Sequence, residues 1–233
     1  MQNIFYTNEE LSVPSDKERF IELIKSIKRE NFDADKLINK LENSDFFIAP
    51  ASTKYHSSFE GGLCKHSLNV YDNLVELVNL KYPVINDVDE ETGDVVMKET
   101  NPWSEDTLKI VALLHDISKM NLYELTFVNK KVYHENGTKQ DNGGAFDWVS
   151  VKSYKTKESS DRFIFGNHEM TSEFMTRCFV PLTTEESVAI LHHMGGMAFD
   201  SSQENMGEIY NAYSLSLLLH TADMFACYID EKV

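Results

Sequence analysis

The chain has 233 residues, and its 22 Lys and Arg against 38 Asp and Glu leave a net charge of −16. That length suits one large domain, or one domain with insertions, and is enough to bury a core without staples. The negative charge repels polyanions and anionic bilayers, which disfavours long nucleic acid and membrane as partners while leaving room for a local basic site.

The 42% apolar and 26% charged fractions are those of an ordinary globular protein. Cys64, Cys178 and Cys227 are odd in number and far apart, with no Cys-x-x-Cys pair. That argues against a disulfide framework or a thiolate zinc site. No basic-then-apolar leader pattern opens the chain, and no run reaches the ~20 apolar residues of a membrane span. The expected location is a reducing cytoplasm.

Ser15 is the expected N-cap of a first helix with Phe20, Ile21, Leu23, Ile24 and Ile27 on one face. A second short helix is expected over residues 33–42. Residues 1–50 then form an N-terminal helical extension without a recognisable motif. Residues 45–62, with Pro50, Ser52, Ser57, Ser58 and Gly61-Gly62, read as irregular. A third helix begins near Leu63, placing Leu63, His66, Val70, Leu74 and Leu77 on one face, and Pro83 ends it. Residues 86–99 carry six acids and one lysine and read as an exposed loop with a small hairpin at residues 94–97. Ser104 caps the next helix, whose first-turn Glu105 and Asp106 suit its dipole. That helix contains Ile110-Val-Ala-Leu-Leu-His-Asp116.

Residues 122–157 favour strands, through Tyr123, Leu125, Phe127, Val132 and Tyr133, then Phe146, Trp148, Val149, Val151 and Tyr154. Asn129-Lys130-Lys131 is the expected hairpin turn, and Gly137, Gly143 and Gly144 mark a loose loop. Helices are expected again over residues 167–179, 183–193 and 208–230. The fold class is mainly α, with a small inserted β-hairpin or flap.

His66, His115 and His193 lie on or beside apolar helical stripes, and His168 opens its helix. A single histidine so placed is ordinarily a hydrogen-bonded core residue. Asp116 and Asp223 change the weighing. A carboxylate facing a core costs several kcal/mol unless it is paired or bound to metal. Apart from Lys119 no basic residue stands near to pair them. Imidazoles converging with two carboxylates form a ligand set for a divalent transition metal.

The ordered set resembles the HD-domain metal-dependent phosphohydrolase superfamily, most closely its small bacterial and phage hydrolases. The matching segments are Gly61-Gly-Leu-Cys-Lys-His-Ser-Leu-Asn-Val70, Leu113-Leu-His-Asp-Ile-Ser-Lys119, Phe165-Gly-Asn-His168, Ile190-Leu-His-His-Met-Gly-Gly196 and Leu219-His-Thr-Ala-Asp223. The resemblance spans residues 55–231 and implies an HD-type helical bundle over residues 51–233, with insertions at about 81–103 and 122–162. It implies four common ligands, His66, His115, Asp116 and Asp223, and two further histidines, His168 and His193, of two-metal members. Asp116 would bridge the metals. The implied cofactor is one or two divalent ions (Mn, Fe, Co, Ni or Zn, with Mg possible). The implied reaction is hydrolysis of a phosphate monoester or phosphodiester of a nucleotide by a metal-activated hydroxide. Lys119 matches the family's HDxxK lysine and would neutralise a phosphate oxygen. His56 and His192 are candidate substrate contacts, and His134 and His220 are read as structural.

Two alternatives share the motif: a di-iron oxygenase such as myo-inositol oxygenase, and a nucleotide-binding sensor module. Finally, residues 129–162 carry seven basic against five acidic side chains. That flap is expected to overhang the site and attract phosphates, with Trp148 and Tyr154 stacking on a base.

Overall fold

Apolar residues recurring every three or four positions build most of this computed structural model, which describes residues 13–89, 92, 94–195 and 205–231. Helix α1 (Val13–Ser26) begins two residues before the expected cap at Ser15, and buries Phe20 and Ile24. Helix α2 (Ala34–Glu42) starts after Asp33, whose side chain accepts from the Lys36 amide, and buries Leu37, Ile38 and Leu41. Phe20, Phe46 and Phe47 pack ring against ring, with centroids 5.0 to 5.7 Å apart. These side chains join one continuous apolar cluster with Leu68, Leu113 and Leu219. The N-terminal helices therefore share the core that carries the histidines.

Helix α3 (Gly62–Lys81) packs against α4 (Glu105–Leu114) and α8 (Ser214–Phe225). Helix α4 is buried on every side from Thr107 to Leu114, which makes it the central rod of the bundle. Ser104 caps it as expected. It stops at Leu114, short of the expected Asp116, and a 3₁₀ turn follows over Ile117–Lys119. Helix α5 spans His168–Arg177, and α6 spans Thr184–Leu191 with a Thr183/Glu186 capping box. The single helix expected over residues 208–230 is instead α7 (Met206–Ala212), α8 and a π-turn over Ala226–Asp230. Tyr213 breaks from helical geometry between α7 and α8.

Two antiparallel units fall where insertions were expected. Strands β1 (Ile85–Val88) and β2 (Val95–Lys98) form a small exposed hairpin. Strands β3 (Tyr123–Tyr133) and β5 (Gly144–Thr156) form a long ribbon with β4 (Lys139–Asp141) at its end, in the order β3-β5-β4. Asn129, Lys130 and Lys131 lie inside β3 and pair with Ser150, Val149 and Trp148, so they are not the hairpin turn. Most ribbon residues are exposed on both faces, so polar side chains continue the strand without cost. Among the described residues, no helix is long and apolar enough to cross a membrane.

Candidate metal centre

The end of α4 sets the geometry. His115 is its C-cap, and its Nδ1 donates to the Ala112 carbonyl at 2.8 Å. Asp116 leaves the helix at φ −110° and ψ 16°. The 3₁₀ turn then returns Lys119 to Asp116, with Nζ 2.5 Å from Oδ2. Lys119 thus meets the aspartate across three residues.

All six sequence-predicted ligands converge on this point. His66 Nε2 lies 3.5 Å from Asp116 Oδ2 and 3.2 Å from Asp223 Oδ1. His115 Nε2 lies 3.6 Å from Asp116 Oδ2 and 3.3 Å from His66 Nε2. His168 Nε2 reaches Asp116 Oδ1 at 2.5 Å, and His193 Nε2 approaches the same oxygen to 3.5 Å without making a hydrogen bond. His66, His115, Asp116 and His193 are almost fully buried, and Asp223 is buried at the pocket side.

The other ring nitrogens face outward, each onto an oxygen. His193 Nδ1 donates to the Ile190 carbonyl at 2.7 Å, and His66 Nδ1 lies 3.0 Å from the Glu231 carboxylate. His168 Nδ1 lies 2.6 Å from Ser118 Oγ. A carbonyl can only accept, so His115 and His193 carry a proton on Nδ1, and in the neutral ring the Nε2 lone pair then points inward. This is the arrangement that outer hydrogen bonds impose on metal-bound histidines. Three overlapping groups, His66/His115/Asp116, His115/His193/Asp223 and Asp116/His168/His193, keep their ligand atoms within 4.8 Å of one another and could hold a metal ion.

Electrostatics favour positive charge here. Burial alone would raise the Asp116 carboxyl, but Lys119, His115 and His168 outweigh it and hold it well below the usual carboxylate range. Burial opposes ionisation of Asp223 too, and the hydrogen bond from His66 overrides it. Burial pushes His115 down to about 3, which keeps it a neutral donor of electrons. His66 and His193 are the exceptions: burial would lower both, yet Asp223 and Glu231 lift His66 to about 10 and Asp116 raises His193 above its ordinary value. A cation beside Asp223 and Asp116 could take the place of the proton on His66 Nε2.

A pocket of about 190 Å³ opens against the cluster, lined by Asp116, Lys119, His56 and Asp223 together with Met194 and His220. His220, read from sequence as structural, thus faces the pocket, and its Nδ1 donates to the His193 carbonyl at 2.7 Å. His56 is also in place, because the backbone at Gly62 passes so close to Ser57 that a Cβ there would lie 2.0 Å from the Ser57 carbonyl oxygen. His192 is not among the pocket's lining residues. It caps α6, with Nδ1 donating to the Val188 carbonyl at 2.9 Å. The ribbon does not line the pocket either: Lys155 pairs with Glu124 at 2.8 Å, and Lys131 with Asp141 at 2.5 Å. Tyr123, at its base, is within electrostatic reach of Lys119.

Two buried acids escaped sequence reasoning. Glu231 holds His66 and also accepts from Ser57 Oγ at 2.6 Å and Asn69 Nδ2 at 2.9 Å. Glu169 is fully buried, accepts from the Met194 amide at 3.0 Å, and is lifted by burial to about 7. Position next to His168 was the one available signal for Glu169.

No protein-family model matches the chain, and neither a curated protein nor a solved structure matches it.

Proposed function

We propose that this chain is a metal-dependent phosphohydrolase of the HD-domain type, acting on a phosphate ester of a small nucleotide. The observation that carries the reading is the convergence of four inward-facing imidazole Nε2 atoms and two carboxylates beside one partly buried lysine. Hard, purely oxygen-ligated ions do not need four imidazoles, whereas Mn, Fe, Co, Ni and Zn accept them readily. His193 Nε2 is buried without a hydrogen-bond partner, as a ligand nitrogen without its ion would be.

His66, His115, Asp116 and Asp223 would hold the first ion, and His168 and His193 would extend the set around Asp116. Such a metal supplies Lewis-acid polarisation of a phosphoryl oxygen and lowers the pKa of water. The chain's own groups orient the ester. Lys119 Nζ lines the pocket as a cation and can donate to a phosphoryl oxygen. The surrounding carboxylates of Asp116 and Asp223 stay ionised, so Lys119 remains charged, its pKa raised by Asp116 against the opposing effect of burial.

The pocket's size narrows the substrate. About 190 Å³ accepts a phosphate group and little more, whereas whole drug-sized ligands fill roughly 300–1,000 Å³. The nucleoside would then lie at the mouth, where Tyr55 is 78% exposed and Tyr228 is 60% exposed. Those rings, in place of Trp148 and Tyr154 on the ribbon, offer stacking faces to a base. Metal analysis of the purified chain, paired with a screen of nucleoside monophosphates and phosphodiesters in the presence of Mn²⁺, Co²⁺, Ni²⁺ or Mg²⁺, tests the reading. Metal-dependent release of phosphate or a nucleotide supports it; oxygen consumption without ester hydrolysis contradicts it.

A further inference from the structure

Cys227 follows Asp223 by four residues, and its thiol donates to Asp223 Oδ1 at 3.4 Å. It sits in the π-turn Ala226–Asp230, a helical irregularity that recurs at functional sites. Across the pocket, the His56 ring lies 4.9 Å from the His66 ring, tilted by 37°. His56 Nε2 is buried and has no hydrogen-bond partner. Its backbone is held, because its carbonyl accepts from Ser52 Oγ at 2.7 Å and the next residue's carbonyl accepts from the Ala51 amide at 3.0 Å. His56, His66 and Cys227 bring their ligand atoms within 4.8 Å of one another.

We propose that Cys227 and His56 join His66 and Asp223 around the same first cation, adding a nitrogen and a sulfur ligand on its Asp223 side, and that this thiolate directs the centre to Zn²⁺, Fe²⁺ or Co²⁺ over Mg²⁺. The inference rests on reading the cluster as a metal centre. A simple thiol–carboxylate hydrogen bond accounts for the sulfur but leaves His56 Nε2 buried and unsatisfied, which is costly. A shared cation accounts for both. Coordination forms one metal–sulfur bond and breaks the S–H bond, and the proton leaves to water. Thiolate is a soft ligand that Mg²⁺ does not take and Zn²⁺ does. His56 becomes a ligand rather than a substrate contact.

The test uses the full chain reconstituted with Co²⁺. The expected spectrum contains a thiolate-to-cobalt charge-transfer band in the near ultraviolet, retained in Cys64→Ser and Cys178→Ser and lost in Cys227→Ser. The His56→Ala variant should weaken cobalt binding about tenfold or more. Zinc-loaded wild-type protein, which avoids any folding defect of a variant, should show one sulfur neighbour at about 2.3 Å by X-ray absorption. Full cobalt loading without the band, or a zinc shell of nitrogen and oxygen alone, overturns the sulfur ligand while leaving the histidine–aspartate centre standing. A chain that takes up no cobalt contradicts the centre itself, and this site with it.

Discussion

Glu231 reaches back from the π-turn to His66, where its Oε1 lies 3.0 Å from Nδ1 on the side of the ring opposite the cluster. The π-turn closes with the Glu231 amide donating to the Ala226 carbonyl at 3.0 Å, one residue further along the chain than an α-turn would allow. That extra residue carries the carboxylate inward. It fixes the ring orientation and increases the electron donation of Nε2 toward the ligand position.

Replacing Glu231 with Gln should therefore weaken metal binding by roughly 10–100-fold without removing any ligand. Competition with a chromophoric chelator measures this. Unchanged affinity would reduce Glu231 to a structural contact with Ser57 and Asn69.

Lys119 and Asp116 separate chemistry from metal binding. In Lys119→Met the carboxylates keep their geometry, and a cation can still neutralise them. Metal content should stay at the wild-type level while kcat falls by ~10²–10³, the usual effect of removing one donor to a developing charge. Loss of metal together with activity would make Lys119 a support for Asp116 alone.

Stability rests partly on a pair remote from the site. Arg29 Nη1 and Nη2 contact the two carboxylate oxygens of Glu186 at 2.5 and 2.6 Å, and Glu186 is fully buried. Arg29→Met would leave that acid without its partner and should cost about 3–5 kcal/mol. Burial would raise the Glu186 carboxyl, but the Arg29 hydrogen bond holds it below its ordinary value. The pair's stabilisation is then complete above the unfolded pKa of ~4.3 and fades as pH falls through the lower folded value. Glu186→Gln should flatten that acid limb in thermal unfolding followed against pH. An unaltered acid limb would assign it to other carboxylates.

The ribbon should not govern substrate affinity. Lys155 already pairs with Glu124, and neither Lys152 nor Lys155 lines the pocket. Reversing both charges should leave KM for a phosphate ester within about twofold, the scale of a screened surface charge. A large rise in KM would restore the flap as a phosphate-gathering surface.

Much of the site was legible in the sequence, because core-facing aspartates carry a cost that only a partner or a metal removes. Asp116 and Asp223 therefore stood out, whereas the choice of His66, His115, His168 and His193 as ligands came from the resemblance of the motifs around them. The helix end at Leu114 was hidden, since the apolar pattern runs on through Ile117, which is also buried. Glu231 was hidden for a different reason: among Asp230, Lys232 and Val233 it reads as a solvated terminal charge, and a π-turn leaves no mark in hydrophobic spacing. The Asn129-Lys130-Lys131 segment misled because polarity signals a turn only where a strand has a buried face to interrupt. In the two-sided ribbon it has none, and the glycines at Gly143 and Gly144 accompany the actual reversal into β5.

The most direct measurement is the metal content of the purified and reconstituted chain beside that of His115→Ala, with phosphate-ester hydrolysis assayed on the same samples. The wild-type chain should hold one or two equivalents of a transition metal and hydrolyse the ester, and the variant should lose both together. A wild-type chain that retains no metal, or a metal-free His115→Ala that hydrolyses at the full rate, would contradict the account.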